Sequence, residues 1–375
     1  MKTLKIADIK AYPVGFDLAK PFYNSVDRHY RRSVTLVKIT ADDGTYGWGD
    51  AYGPAAAGAA QMIEMYLKER LIGQDPFRAE YLWHVLQNKK GFPIGVLGGA
   101  DIALWDLKAK KLEVPLYELL GGKYFDEFTP YASGLPYRED SPDSMDAMVE
   151  EVKAIIPHGF HSLKMKVGFG KKRDTARIAK VREMIGDQMQ LMVDANQAYT
   201  ISDCLQMLPV FEKYNVAWLE EPLPWQSNDS YKLLRSRTRI PIAAGEWENT
   251  MQGFVSAIQN QVCDIIQPDL PAVGGITAMK RIATLAFANN IALQPHVFGS
   301  IVSLQAAMQF MASQPNYHSW ATFPEGVMIE WDTNPNSSAN KLIKEPLQLK
   351  NGVVKLPEKP GIGIEIREEA LSEFS

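Results

Sequence analysis

Cysteine is nearly absent: Cys204 and Cys263 are the two in 375 residues. One falls in a helical pattern and one opens an apparent strand, so they read as buried thiols in a reducing compartment rather than a disulfide framework. No segment approaches the roughly 18 consecutive apolar residues of a membrane span. The N-terminal MKTLKIADIKAYPV also lacks the apolar stretch of a signal peptide, so a soluble, cytoplasmic protein is expected. Forty basic residues against forty-four acidic ones leave a formal net charge of −4. With no Lys/Arg run and no basic aromatic stripe, nucleic acid is not expected as a partner. Low-complexity linkers are missing too, which implies firmly docked parts.

What is present divides into a mixed first part and an alternating second part. Residues 1–125 carry strand patterns at Leu4–Tyr12, Ser33–Thr40 and Thr45–Trp48, then helical patterns at about 56–72 and 99–112, an α+β domain opening on a β-meander. Gly121 and Gly122 supply a helix stop. From 126 to 345 eight strand candidates follow: Thr129–Ser133, Ser162–Val167, Leu191–Ala195, Ala217–Glu221, Ile240–Gly245, Asp264–Pro268, Ile291–Pro295 and Met328–Trp331. Most precede a helical stretch, which implies parallel pairing and an α/β, (β/α)8 barrel of the TIM type. Residues 346–375 return to strand and turn signals and are expected to pack back on the first domain.

Six reactive residues punctuate the second part: Lys166, Asp194, Glu220, Glu246, Asp269 and His296, at steps of 28, 26, 26, 23 and 27 residues. One strand, two loops and a crossover helix occupy about that length. Each strand therefore ends in a reactive group, at the face where such barrels build active sites. Singly, an acid at a strand end is most simply a solvated or capping carboxylate. Together, Asp194, Glu220 and Glu246 would repel one another unless a cation joins them, and an all-oxygen set favours Mg²⁺, with Mn²⁺ as the other candidate.

Lys164 and Lys166, two apart on one strand, point to the same side. Two ammonium groups beside a cation depress a lysine pKa, which would make Lys166 a general base; the alternative is a pair of structural lysines. Asp269 and His296 end adjacent strands, where a carboxylate on one ring nitrogen sets the tautomer and raises the basicity of the other. Glu330, in VMIEWD, lies 34 residues beyond His296 and is a candidate protonated or hydrogen-bonded acid. A polar and aromatic segment, Tyr23 to Arg32, is expected to fold over the barrel mouth as a lid. Gly168-Phe169-Gly170 lacks the third glycine of a dinucleotide site.

The combination of Lys164-Met165-Lys166, Asp194-Ala195-Asn196, Glu220-Glu221-Pro222, Gly245-Glu246, Asp269 and His296 closely resembles the mandelate racemase subgroup of the enolase superfamily. ADIALWDLKAK and PLYELLGG resemble it as well, so the likeness covers nearly the whole chain. It implies a modified (β/α)8 barrel closed by an N-terminal α+β capping domain that the C-terminal tail completes. It also implies Mg²⁺ on Asp194, Glu220 and Glu246, and Lys164 on the substrate carboxylate. Lys166 and His296 would be the two acid/base groups, Asp269 orienting the latter, with Glu330 beside the enolate; a homo-oligomer is implied too. The sequence departs from the family at Asp50, where a glutamate is more usual.

That chemistry removes a hydrogen α to a carboxylate. Reprotonation from the other face racemises; loss of a β-oxygen eliminates. Tyr23, His29 and Tyr30 make a hydrogen-bonding lid, and with Asn196 and Trp331 they are candidate substrate contacts. Such a lid suits a polyhydroxylated acid sugar better than an aromatic acid, and acid sugars carry a β-oxygen. In general similarity the chain looks most like 3,6-anhydro-L-galactonate cycloisomerases, whose elimination opens a ring to give 2-keto-3-deoxy-L-galactonate. The alternatives are an aldonate or aldarate dehydratase, a racemase or epimerase of a 2-hydroxy acid and, more remotely, a non-catalytic binding barrel.

Overall fold

A computed structural model describes residues 4–52, 56–88, 92–138, 145–315, 327–334 and 339–374. Three antiparallel strands open the chain in the order β1 (Ile6–Tyr23), β2 (Arg28–Ala41), β3 (Tyr46–Ala51). The first two run much further than their apolar alternation indicates, because each sustains the other: Phe22 pairs with His29 and Tyr23 with Arg28. The expected lid is therefore the tip of a hairpin. Asn24 closes it, its side-chain oxygen accepting the amides of Val26 and Asp27 at 3.0 and 2.6 Å, an Asx turn.

The helix Ile94–Lys111 lies across β3. Backbone meets backbone there, since a Cβ at Gly47 would fall 2.0 Å from the Ala103 carbonyl and one at Gly49 would fall 1.9 Å from that of Gly99. Only glycine permits that approach. A helix at Ala79–Gln87, not expected from the sequence, buries Ala79, Leu82, Trp83 and Leu86.

Eight parallel strands follow: β5 (Tyr131–Gly134), β6 (Ser162–Lys166), β7 (Gln190–Asp194), β8 (Val216–Glu220), β9 (Ile242–Ala244), β10 (Ile265–Ile266), β11 (Ala292–Leu293) and β12 (Glu330–Asp332). They pair in the order β11-β10-β9-β8-β7-β6-β5-β12, so consecutive strands are neighbours up to β11 and β12 joins β5. The sheet curls, and its seam between β11 and β12 is bridged by side chains: Gln294 Nε2 donates to the Met328 carbonyl at 3.3 Å, and the Val297 amide to Glu330 Oε2 at 2.8 Å. Tyr131, Met192, Trp218, Ala243, Ile265 and Met328 pack together as a separate buried layer, the filled core expected of such a barrel. Each of the eight strands overlaps its expected segment, four of them running one residue past it.

Beyond 345 the chain first pairs β13 (Leu349–Lys350) with β14 (Val353–Lys355), which pairs in turn with β4 (Glu127–Phe128). It then returns to the N-terminal residues, where the Ile362 amide donates to Asp106 Oδ1 at 2.8 Å. Cys204 and Cys263 are free and buried, and burial pushes both thiols up to about 12. No helix among the described residues is long and apolar enough to cross a membrane.

Candidate active site

The strands present their reactive groups at one end of the barrel. Asp194 and Glu220 close β7 and β8, pairing in register with each other, and Asp194 pairs with Lys166 of β6. Glu246 follows β9 across Gly245, whose φ of 130° no side chain would favour. Each of Asp194, Glu220 and Glu246 offers a carboxylate oxygen, the three lying within 4.8 Å of one another.

Their neighbours fix these oxygens. Lys166 is paired with Asp194. Asp194 Oδ1 accepts the Asn196 amide at 2.9 Å, and Asn196 Nδ2 donates to Glu246 Oε1 at 2.9 Å. Glu220 Oε2 accepts from Gln267 Nε2 at 2.9 Å and Trp218 Nε1 at 3.2 Å. His296 reaches both ways, with Nδ1 2.9 Å from Asp269 Oδ2 and Nε2 3.2 Å from Glu246 Oε2. The expected His–Asp pair and carboxylate triad are thus brought together.

Charge balance decides what the cluster can hold. Asp194, Glu220, Glu221, Glu246, Asp269 and Glu330 stand against Lys164, Lys166 and His296, all largely buried. Burial pushes Glu220 up to about 8, with Lys164 only partly offsetting the surrounding Asp194, Glu330 and Glu246. A divalent cation would relieve that excess, and the buried Asn196 Oδ1, which has no hydrogen-bond partner among the described residues, adds an uncommitted acceptor beside Asp194 and Glu246. The donor set fits a hard, oxygen-seeking metal.

Among the protein's own charges, burial works to lower Lys166, but Asp194 together with Glu246 and Glu220 outweighs it and its pKa is raised; the expected depression depends on the charge of a cation at the triad. The register places the Asp194 carboxylate opposite Lys166, a neighbour that the spacing of the two lysines does not show. Lys164 behaves alike: burial opposes its charge, and Glu220 and Glu330 hold it well above the ordinary lysine value. Its ammonium is 1% exposed, 2.6 Å from Glu220 and 2.9 Å from Glu330. Of the two forms expected of Glu330, the hydrogen-bonded one is found. Burial would raise it, but Lys164 and His296 bring it down to about 2, and it accepts from Ser133 Oγ at 2.7 Å and the Val297 amide at 2.8 Å.

A cavity of about 910 Å³ opens over Glu330, walled by the β1–β2 hairpin on one side and the loop after β11 on the other. His29 lines it, stacked on Phe22 at 4.7 Å and tilted to Phe298 at 5.7 Å. Tyr30 and Trp331 also reach its wall. Tyr23 does not line it, contrary to expectation: the hairpin turns its ring onto the edge of Tyr137 at 6.3 Å. Instead Ser25 docks the tip, its hydroxyl donating to the Ala195 carbonyl at 2.6 Å. Gln267 and Asp332 were missed, although each lies two residues from a chosen one, Asp269 or Glu330, and period two puts both on the same side.

Known proteins carry the same architecture. Residues 6–121 match the mandelate racemase / muconate lactonizing enzyme N-terminal domain, and residues 147–370 the enolase C-terminal domain-like family. The chain is 37% identical to the D-galactarolactone cycloisomerase of Agrobacterium fabrum over 377 residues, 99% of each chain. It superimposes on the 3,6-anhydro-D-galactonate cycloisomerase of Zobellia galactanivorans with a TM-score of 0.87 at 34% identity, over 99% of each. It also matches the L-talarate/galactarate dehydratase of Salmonella typhimurium liganded with Mg and L-lyxarohydroxamate, with a TM-score of 0.87 at 25% identity over 100% of this chain and 93% of that one. Fold, site and likeness agree: the chain is an enzyme belonging to the mandelate racemase / muconate lactonizing enzyme family of the enolase superfamily.

Proposed function

We propose that this enzyme removes the hydrogen α to the carboxylate of an acid sugar and then expels a β-oxygen, with Mg²⁺ held by Asp194, Glu220 and Glu246. The carrying observation is that Lys166 and His296 stand on opposite sides of the triad, Lys166 against Asp194 and His296 3.2 Å from Glu246. The cation would stabilise the negative charge that gathers on the substrate carboxylate as the hydrogen leaves. Lys166, which has to stand as the neutral amine that the charge of a cation beside it would favour, takes the proton; the C–H pair forms the enediolate, the C–O bond breaks, and His296 protonates the departing oxygen while Asp269 holds its Nδ1. Tautomerisation of the enol gives a 2-keto-3-deoxy acid. Lys164, buried between Glu220 and Glu330, supports the site by its charge from beneath, and ionised Glu330 fixes Lys164 and the Val297 backbone.

If the departing oxygen is a ring ether, the product is an isomer; if it is a hydroxyl, water is lost. Ring opening of a 3,6-anhydrogalactonate is the specific reading, supported by full-length likeness to two cycloisomerases. Both are named for D-series compounds, so nothing in them favours the L series expected from the sequence. Dehydration of an aldonate or aldarate is the second reading, favoured by likeness to the dehydratase. Incubation with anhydro-aldonates, aldonates and aldarates, followed with a 2-keto-acid reagent and mass spectrometry, separates them. Unchanged mass means ring opening, loss of about 18 mass units means dehydration, and α-hydrogen exchange without keto acid means racemisation and overturns the proposal. Turnover that survives exhaustive chelation would overturn the metal assignment.

A further inference from the structure

Glu330 and Asp332 lie two apart on β12 and so face the same side, Glu330 deeper and Asp332 nearer the mouth. Glu330 is tied to Lys164. Asp332 is tied across the cavity to Arg32 of β2, an ion pair joining the hairpin to the last barrel strand. The pair is held from both ends. Asp332 Oδ1 accepts the amide and side chain of Asn334 at 2.9 and 2.6 Å. Arg32 donates to the Phe298 carbonyl at 3.3 Å and lies over the Phe298 ring at 3.7 Å. That ring stacks 6.1 Å from His296, so the ion pair stands one aromatic ring beyond the proposed acid.

A substrate whose carboxylate lies at the triad would thus extend its far end toward Arg32 and Asp332. Arg32 there is already answered, and of the wall's other charged groups Arg28 lies over the Tyr23 ring at 5.2 Å while its amide donates to Asp27 Oδ1 at 2.7 Å. Arg31, also on the cavity wall, is paired with Asp17 at 3.0 Å, and burial lowers the pKa of His29, which keeps it neutral. This wall can exchange hydrogen bonds with hydroxyls, but a second carboxylate would meet Asp332 and find Arg32 engaged.

We propose that the Arg32–Asp332 pair makes the distal half of the cavity electrically neutral and selects acid sugars with one carboxylate and a hydroxyl-bearing or ring-ether far end over those with a carboxylate at each end. This rests on the acid-sugar reading above and narrows it. Asp332 is the specificity-determining residue, because removing its charge releases Arg32 for bidentate capture of a carboxylate.

The test uses the Mg²⁺-loaded full chain with galactonate and galactarate, which differ only in a CH₂OH or a carboxylate at the far end. Binding is read by calorimetry and turnover by 2-keto acid. Galactonate is expected to bind at least about tenfold more tightly, as like-charge opposition of 1.4 kcal/mol or more requires. Asp332→Asn is expected to shift the ratio about tenfold or more toward galactarate, and Arg32→Gln, which leaves Asp332 unanswered, to shift it the other way. A wild-type preference for galactarate, an unmoved ratio in a correctly folded Asp332→Asn variant, or binding of neither compound would each overturn the proposal. Should neither be turned over yet the ratio behave as stated, the reaction reading fails while the charge selection stands.

Discussion

Lys164 and Lys166 differ by one strand repeat and have become different groups. Lys164 is enclosed at 1% exposure between two carboxylates, while Lys166, at 21%, remains near the mouth. Depth explains this: the inner residue completes the filled barrel and the outer one meets substrate. Replacing Lys166 with Ala or His296 with Asn is expected to lower turnover by about 10²- to 10⁴-fold, with Mg²⁺ affinity by calorimetry largely kept. Proton exchange in D₂O then assigns the roles. The variant lacking the base loses exchange together with product, whereas the one lacking the acid still exchanges the α-hydrogen. Full activity in both would remove them from the mechanism. The triad and the His–Asp pair were legible because each strand end repeats at near-constant spacing. The pKa directions were not, since they depend on which opposite charge the register sets beside each group.

Among elements, helix starts carry the contact between the N-terminal part and the barrel. Asp101, in the helix Ile94–Lys111, accepts the Thr277 amide at 2.8 Å and its hydroxyl at 2.6 Å, capping the barrel helix Ile276–Ala288. Gly275 has φ 89°, and a Cβ there would lie 2.5 Å from Asp101 Oδ2, which is why Gly274-Gly275 opens this helix. Asp50 does the same for the helix Ile301–Ala312, accepting the Ser300 amide at 2.6 Å. Burial pushes Asp101 up to about 7, against about 3.9 when unfolded. Between those values the folded chain keeps a proton the unfolded chain has released, so Asp101 makes stability fall as pH rises from about 4 to 7. Asp101→Asn is expected to remove that slope in urea melts, gaining on the wild type toward pH 7. Asp101→Ala should cost about 1–3 kcal/mol through the orphaned Thr277 amide. A stability difference between wild type and Asp101→Asn that does not vary with pH would contradict the assignment. The sequence showed Asp101 in ADIALWDLKAK but not its partner Thr277, which lies 176 residues away.

Across the whole molecule the tail closes a circuit. Asp106 accepts from Trp48 of β3 at 2.7 Å with one oxygen and from Ile362 at 2.8 Å with the other. Ile362, Ile364, Ile366 and Leu371 are buried, each contributing on the order of 1.5–3 kcal/mol to a total of about 5–15 kcal/mol. A chain ending at Glu345 is therefore expected to show no cooperative thermal transition by circular dichroism. One that melts within a few degrees of the full chain would show the tail to be dispensable.

By itself, the sequence determined the strand count, the strand–helix alternation and the residues that end the strands, because local periodicity encodes what lies on one face of an element. Tertiary structure decided the rest. It turned the expected lid into the end of a long hairpin, sent Tyr23 away from the cavity, ionised Glu330 beside Lys164 and joined Arg32 to Asp332, 300 residues apart. Those outcomes depend on contacts between distant segments, whose distances and charges no local pattern contains.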